Sequence, residues 1–338
     1  MDAIVLVGGQ GTRLRPLTLT RHKSLVPVCN RPAIAHLFEW LARSGIDRAV
    51  LAIGCDNDDL AETYPPGRAH GIEITVVHET SRLESGGAIR NAVREAGVEG
   101  RFVVLNGDVF VDFDFAAALR SHEAKRADLT LALYRVDDPS SYGVAVVDDE
   151  DMVTGFVEKP PRGTAAGNLV NAGAWIFEPG LVAEIPPGPV RVEETLFPSL
   201  VARRRRVFGH RFGGIWADIG TPARYLSLNR ELALRAGGNC LGDNVGIDPS
   251  ARVTASSLGA GSAVGPGAVV RESILWEGVA VGAGASVDAC ILADGVRIGA
   301  GARLSGVVAG KGAAIGEAAS VPPGTNLDPG ARYDGQDD

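Results

Sequence analysis

Lysine is scarce in this 338-residue chain: Lys23, Lys125, Lys159 and Lys311 are the only four among 33 basic side chains, and the rest are arginine. Where lysine does occur, its placement therefore carries more weight than usual. Cysteine is scarce too. Cys29, Cys55, Cys240 and Cys290 are far apart and show no C-x-x-C spacing, which argues against both a disulfide scaffold and a zinc site and leaves them as small buried hydrophobes. No apolar run approaches the roughly 18 residues of a membrane helix, and the start MDAIVLVGGQGTRLR lacks the layout of a signal peptide. An excess of positive charge is also missing: 33 Lys and Arg stand against 41 Asp and Glu, a formal charge of −8, so no basic surface for nucleic acid is expected. Histidine is absent beyond His210. These absences describe a cytoplasmic protein with neither membrane nor nucleic acid as partner.

What is present falls into two grammars. The first alternates apolar runs with helical patterns: strands at 3–7, 49–53 and 102–106, and a helix over 33–45 opened by Pro32 and stopped by Gly45. Such alternation predicts an α/β layer fold with a largely parallel sheet. From residue 239 onward the chain holds 19 of its 44 glycines and becomes repetitive. Ile247, Val264, Val281, Ile298 and Ile315 recur every 17 residues, as do Val253, Val270, Val287, Leu304 and Val321. Leu258, Leu275 and Leu292 form a third series that Ala309 continues. Gly265, Gly282, Gly299 and Gly316 each follow a member of the first series. A flexible linker has no reason to hold three apolar registers in phase; short strands wound into a solenoid do. The pattern resembles the left-handed β-helix of hexapeptide-repeat proteins. Trp276, inside the repeat, reads as facing outward beside a turn or packing against another domain. The run Arg203 to Arg206 reads as the solvated end of a helix over 193–202, and the residues after Gly330 as a frayed tail.

The strongest chemical signal is GGQGTRLRPLT at 8–18, directly after the first strand. Gly8, Gly9 and Gly11 let the backbone turn and approach a ligand without a Cβ in the way, and successive N–H groups in such a loop form an anion-binding concavity. Arg13 and Arg15 add planar, fixed cations suited to phosphate. The third glycine of a dinucleotide fingerprint is missing, and so is a Gly-Lys-Ser/Thr ending. Lys23 follows in RHKSLVPV.

With these strings the chain resembles the sugar-1-phosphate nucleotidyltransferases, the NDP-sugar pyrophosphorylases. The likeness continues through LESGGAIRNA (83–92), LNGDV (105–109), YGV (142–144), FVEKP (156–160), NAG (171–173), VEETLFP (192–198) and IWADIGTP (215–222), in order along nearly the whole sequence. It implies a Rossmann-like catalytic domain with a mixed, mostly parallel sheet over 1–238, a left-handed β-helix over 239–330 and a tail at 331–338. The implied reaction joins a nucleoside triphosphate to a sugar 1-phosphate and releases pyrophosphate. Two polyanions must meet, so positioning and charge stabilisation dominate.

The resemblance assigns roles residue by residue. Arg13, Lys23, Asp108, Lys159 and Asp218 are implied to carry the chemistry, with Asp108 and Asp218 holding Mg²⁺. Leu6, Gly8, Gly9, Gly11, Thr12, Arg13, Lys23, Glu84, Ser85, Gly86, Gly87, Asn106, Gly107 and Asp108 are implied to line the nucleotide. Lys159 would grip the sugar phosphate, while Gly143, Glu158, Asn171 and Glu193 read the sugar. Two segments depart from the family pattern. His22-Lys23-Ser24 replaces Pro-Lys-Pro, which loosens the loop but keeps the amine. Leu83-Glu84-Ser85-Gly86-Gly87 replaces Leu-Gly-Thr-Ala-Gly, and Glu84 either accepts from a base N–H or points to solvent. Within the family the chain most resembles bacterial guanylyltransferases of mannose 1-phosphate, with UTP, dTTP or ATP and glucose- or heptose-type phosphates as alternatives. An acyltransferase role for the β-helix lacks the histidine base such enzymes use. A non-catalytic regulatory subunit would be expected to break the charged positions, which are intact. The open ends of a β-helix favour a homo-oligomer.

Overall fold

The computed structural model describes residues 1–55 and 58–335. They form two compact units, Met1–Gly9 with Ile34–Trp216, and Gln10–Ala33 with Ala217–Asp338. No helix among the described residues is long and apolar enough to cross a membrane.

The first unit is built on one ten-stranded sheet. Its strands are β1 (Asp2–Val7), β2 (Arg48–Ile53), β3 (Gly67–Ala69), β4 (Ile72–His78), β5 (Phe102–Asn106), β6 (Leu129–Arg135), β7 (Gly143–Val147), β8 (Val153–Glu158), β9 (Leu169–Phe177) and β10 (Val207–Arg211). The order is β8-β7-β9-β5-β1-β2-β4-β3, with β6 beside β9 and β10 beside β6. Strands β5, β1, β2 and β4 run parallel, and β9 joins antiparallel to β5, so the sheet is mixed and mostly parallel at its centre. The central strands are apolar on both faces because helices cover both. Ala3, Ile4, Val5, Ala49, Val50 and Leu51 have no exposed surface. The helices of this unit include α1 (Ala33–Arg43), α2 (Glu84–Ala96), α3 (Phe115–Ala124) and α4 (Leu196–Ala202). Trp175, Phe177, Phe102 and Phe197 anchor the core, with the Phe102 and Phe177 rings stacked 5.6 Å apart. Strand β9 bulges between Asn171 and Trp175, where Gly173 takes φ +72°; Asn171 itself stays in the ladder opposite Leu133, and the extra residues follow it.

Helix α4 starts at Leu196, later than the 193 expected, because residues 194 and 195 turn back onto the Arg191 carbonyl. Three of the four arginines after it are ion-paired and not simply solvated. Arg203 and Arg205 donate to Glu184, and Arg205 and Arg206 reach Asp128.

In the second unit the coils stack as three parallel walls. One wall runs through Asn239–Leu241, Ser256–Leu258, Ile274–Leu275, Ile291–Leu292, Val308–Ala309 and Asn326–Leu327. The apolar series found by spacing point inward: Val264, Val281, Ile298 and Ile315 are each at most 4% exposed, and Leu258, Leu275, Leu292 and Ala309 are fully buried. The fold is a left-handed β-helix. Its last coil pairs Ile315 with Tyr333, so the strand Arg332–Tyr333 extends the wall beyond Gly330, where a frayed tail was expected; residues 336–338 of that tail lie outside the described residues.

Residues 10–33 and the helix α5 (Pro222–Arg235) belong to this unit. Thr221 caps α5 by accepting from the Arg224 N–H, and Pro222 fills its first turn. Residues 27–32 form a small hairpin whose turn residues, Cys29 and Asn30, both take positive φ, the conformation of a tight two-residue turn. Cys29 is joined to Cys240 as a disulfide, with Cα atoms 5.3 Å apart. This corrects the expectation that the cysteines are unlinked hydrophobes. Widely spaced thiols carry no pairing signal, and only the fold brings residues 29 and 240 together. Cys290 does behave as expected: it is buried, and burial pushes its thiol up to about 11.

Candidate active site

In the first unit the predicted nucleotide residues gather at the carboxyl ends of β1, β4 and β5, the edge where open α/β sheets bind ligands. The Gly107 N–H donates to the Leu6 carbonyl at 2.9 Å. A Cβ at Gly107 would lie 2.2 Å from the Val7 side chain, so β1 and β5 close here only around glycine. Asn106 ends β5 and packs against Gly173, and Asp108 follows two residues later, on the loop leaving the sheet edge. Gly8 and Gly9 leave β1 at the same edge.

The residue missed by sequence reasoning is Glu79. It directly follows β4 and is 6% exposed. Its Oε2 accepts the Leu83 N–H at 3.0 Å, while its Oε1 lies 3.6 Å from where a Gly8 Cβ would stand. Burial pushes its carboxyl above the ordinary range, against the pull of the Leu83 N–H. An acidic residue at the carboxyl end of a parallel strand was the available signal. Glu84, the residue the sequence offered for the base, is instead ion-paired with Arg191 at 3.0 Å. Gly86 donates its N–H to the Val190 carbonyl at 2.7 Å, and a Cβ at Gly87 would stand 2.7 Å from the Gly188 carbonyl. These glycines let α2 start against the 188–190 segment.

The predicted sugar residues also converge within this unit. Ser85 donates to Glu193 at 2.6 Å and accepts from the Val192 N–H. Burial pushes the Glu193 carboxyl up; the Ser85 hydroxyl opposes this and the Glu158 charge adds to it. Lys159 pairs with Glu158 at 2.8 Å while remaining 54% exposed. Gly143 faces Glu158 across the β7–β8 ladder, and any Cβ there would press within 2.6 Å of the Glu158 Oε2. Asn171 fixes its carbonyl by accepting from the Gly173 N–H and Trp175 Nε1.

The second unit carries the other predicted cations. Thr12 and Arg13 lie exposed in a short helical turn after Gly11. Thr18 donates to the Gly11 carbonyl at 2.8 Å, and a Gly11 Cβ would meet the Lys23 Cβ at 3.1 Å, so the lysine stem packs on the glycine backbone. Lys23 is 8% exposed, and its Nζ lies 3.9 Å from the Asp218 Oδ1. Arg224 holds the other Asp218 oxygen at 2.8 Å. Among the described residues no three His, Cys, Asp or Glu side chains form a cluster that could hold a metal. Asp108 in the first unit and Asp218 in the second are each a hard oxygen donor of the kind Mg²⁺ takes, an ion that keeps waters and phosphate oxygens as its other ligands.

A glycine-rich edge on this mixed, mostly parallel sheet, with a β-helix following it, is the arrangement of the nucleotidyltransferases. Residues 2–234 match the nucleotidyl transferase family and residues 246–334 the GlmU-like C-terminal hexapeptide family. The chain belongs to the nucleotidyl transferase family and is an enzyme of that class. It is 37% identical over 237 residues to a mannose-1-phosphate guanylyltransferase of Mycobacterium tuberculosis, covering 69% of this chain and 64% of that protein. It is 36% identical over 263 residues to the mannose-1-phosphate guanylyltransferase catalytic subunit beta of Dictyostelium discoideum, covering 74% and 72%. Among solved structures, HddC from Yersinia pseudotuberculosis, also solved in complex with GMP-PN, superposes with a TM-score of 0.59 at 25% identity, over 68% of this chain and 99% of that one.

Proposed function

We propose that the protein transfers a guanylyl group from GTP to mannose 1-phosphate, giving GDP-mannose and pyrophosphate. Glu79 carries the choice of base. Guanine presents two donors side by side on its pairing edge, N1–H and the 2-amino group, and a carboxylate accepts both. Uracil and thymine present one donor flanked by carbonyls, which a carboxylate repels. A buried, backbone-anchored carboxylate beside Gly8 therefore selects guanine. The mannose assignment is supported by the relatives named above.

In the reaction a phosphate oxygen of the sugar attacks the α-phosphorus, and the bond to the β-phosphate oxygen breaks as pyrophosphate leaves. Arg13 and Lys23 offset the charge on the triphosphate, and Lys159 binds the sugar phosphate. Asp108 and Asp218 would hold Mg²⁺, which supplies charge neutralisation to the phosphates. Glu158, Glu193, Asn171 and the Gly143 backbone orient the sugar. The same reading places the protein in the cytoplasm with its soluble phosphorylated substrates. It also makes it a homo-oligomer, because the end coils of a β-helix offer strand edges that a second copy can cover, a state that light scattering measures.

The test is pyrophosphate release from GTP, UTP, dTTP and ATP, each crossed with mannose, glucose and heptose 1-phosphates. GTP with mannose 1-phosphate is expected to give the highest kcat/KM, and EDTA to abolish turnover until Mg²⁺ is restored. A preference for UTP or dTTP would overturn the assignment of Glu79.

A further inference from the structure

We propose that Trp276 and Asp294, both on β-helix coils, are positioning residues for nucleotidyl transfer, acting through Arg21 on the turn that carries Lys23. The proposal rests on the nucleotidyltransferase reading and adds residues that its motifs do not include.

Arg21 is held from two sides. Its Nη2 donates to the Asp294 Oδ2 at 2.8 Å, and its guanidinium carbon lies 4.7 Å from the centroid of the Trp276 ring. Both side chains of the ion pair are mostly covered, 28% and 18% exposed, so solvent screens the pair less than it would a surface one. Trp276 is 1% exposed, and its Nε1 donates to the Tyr225 hydroxyl at 3.1 Å. That hydroxyl in turn donates to the Pro27 carbonyl. The coils thus grip the 10–33 segment on both sides of Lys23, at Arg21 and at Pro27.

Stacking of the β-helix does not demand this tryptophan. One coil away in either direction its place is held by Gly259 and Ala293, and Gly310 follows one coil further. A small residue suffices for the solenoid at this place, and the indole is explained by what it touches outside the coils. Asp294 holds the place of Glu277 one coil on, at the mouth of a turn where charge is optional.

The grip is transmitted over a short distance. His22 Nδ1 accepts the Ser24 N–H at 3.2 Å, and the Leu25 N–H donates to the His22 carbonyl at 2.9 Å, so residues 22–25 form a single tight turn. Lys23 sits inside it with its stem on Gly11, two residues before Arg13. A shift of Arg21 therefore moves the amine and the phosphate loop together. Displacement of about 1 Å at a reacting centre costs on the order of a hundredfold in rate, which leaves ample room for a measurable effect.

The test compares wild-type protein with Arg21→Gln, Asp294→Asn, their double variant, Arg21→Lys and Trp276→Phe. The readouts are kcat and KM by pyrophosphate release, the thermal midpoint, and amide exchange over 23–26. Arg21→Gln and Asp294→Asn should each lower kcat roughly tenfold while KM for the sugar phosphate stays within about twofold. The double variant should be no worse than the poorer single, because both remove one contact. Arg21→Lys should recover most of the loss. Trp276→Phe should fall between Arg21→Gln and wild type. The Leu25 and Val26 amides should exchange faster in Asp294→Asn, with the thermal midpoint unchanged. Multiplying losses in the double variant, or single variants within about twofold of wild-type kcat with unchanged exchange, would overturn the proposal. If wild-type protein turns over none of the substrates offered, the substrate reading fails, and the exchange measurement alone decides the clamp.

Discussion

A carboxylate that reads a base has to accept two donors at once, and Glu79 has one oxygen anchored to the Leu83 N–H and the other beside Gly8. In Glu79→Gln the amide presents one acceptor and one donor, so one guanine N–H meets an N–H. The expected cost is about 2 kcal/mol, roughly 30-fold in kcat/KM for GTP, with a much smaller change for UTP, so the ratio of the two values narrows. Equal losses for both nucleotides would show that Glu79 supports the loop without reading the base. A second buried network acts on stability. His122 places Nδ1 2.8 Å from the Thr130 hydroxyl and Nε2 3.1 Å from Glu178, which Arg101 also holds at 2.6 Å. Burial pushes the His122 pKa down, more than Glu178 raises it, with Arg101 adding to the fall. Burial would raise Glu178, but the Arg101 and His122 hydrogen bonds outweigh it and hold it low. Both shifts have the same consequence. Below about pH 6.5 the unfolded chain takes up a proton at residue 122 that the folded chain resists, and below about pH 4.3 the same holds at Glu178. Stability should fall with pH in these two windows. His122→Gln should flatten the urea-midpoint profile between pH 6.5 and 5 and leave the lower window in place. At this scale the motif residues were legible, since glycine, lysine and aspartate stand in fixed local strings. Glu79 was not, because a lone acidic residue after a strand belongs to no string and gains meaning only beside Gly8.

The coils show why one element can be read from sequence almost completely. Each inward position is filled by a residue whose stacking partner lies 17 places away, so the core is written as a local rhythm. The rhythm slips once: Ile315 pairs with Tyr333, an interval of 18, after the Pro322-Pro323 turn. The glycines following the first apolar series have a steric reason that the rhythm alone does not show. A Cβ at Gly299 would sit 2.5 Å from the Glu317 nitrogen of the next coil, whereas one at Gly246 meets nothing within 4 Å. Gly299→Ala should therefore cost about 1–3 kcal/mol by forcing the coils apart, seen as a lower unfolding midpoint, while Gly246→Ala leaves the midpoint unchanged. The disulfide is the opposite case. Its partners are 211 residues apart, in a hairpin turn and in the first coil, and nothing local marks them. Thiol titration checks it: without reductant the native protein should show one reactive thiol, the exposed Cys55. Unfolding should release a second, Cys290, and reduction should bring the count to four. Four thiols in the unreduced, unfolded chain would contradict the link.

For the molecule as a whole, the order of motifs divides the chain near residue 238, but packing divides it differently. Residues 10–33 follow β1 immediately, yet they fold with α5, which begins at Pro222, and with the coils after it. That arrangement is invisible in sequence because every contact that creates it is long-range: Cys29 with Cys240, Asn30 with the Cys240 carbonyl, Arg21 with Asp294. It follows that the β-helix is not a detachable appendage of a self-sufficient catalytic domain. Ending the chain after Gly238 removes Cys240, Trp276 and Asp294 together and uncovers Tyr225, which is fully buried in the intact protein. The sheet of the first unit draws its core from residues 4–207 and loses none of it. Circular dichroism of the shortened protein should therefore retain its α/β signal, while kcat falls on the order of a hundredfold or more as the Lys23 turn loses its support. A shortened protein with the kcat of the full chain would mean that residues 10–33 hold their geometry unaided, and that the coils serve assembly and nothing in the reaction.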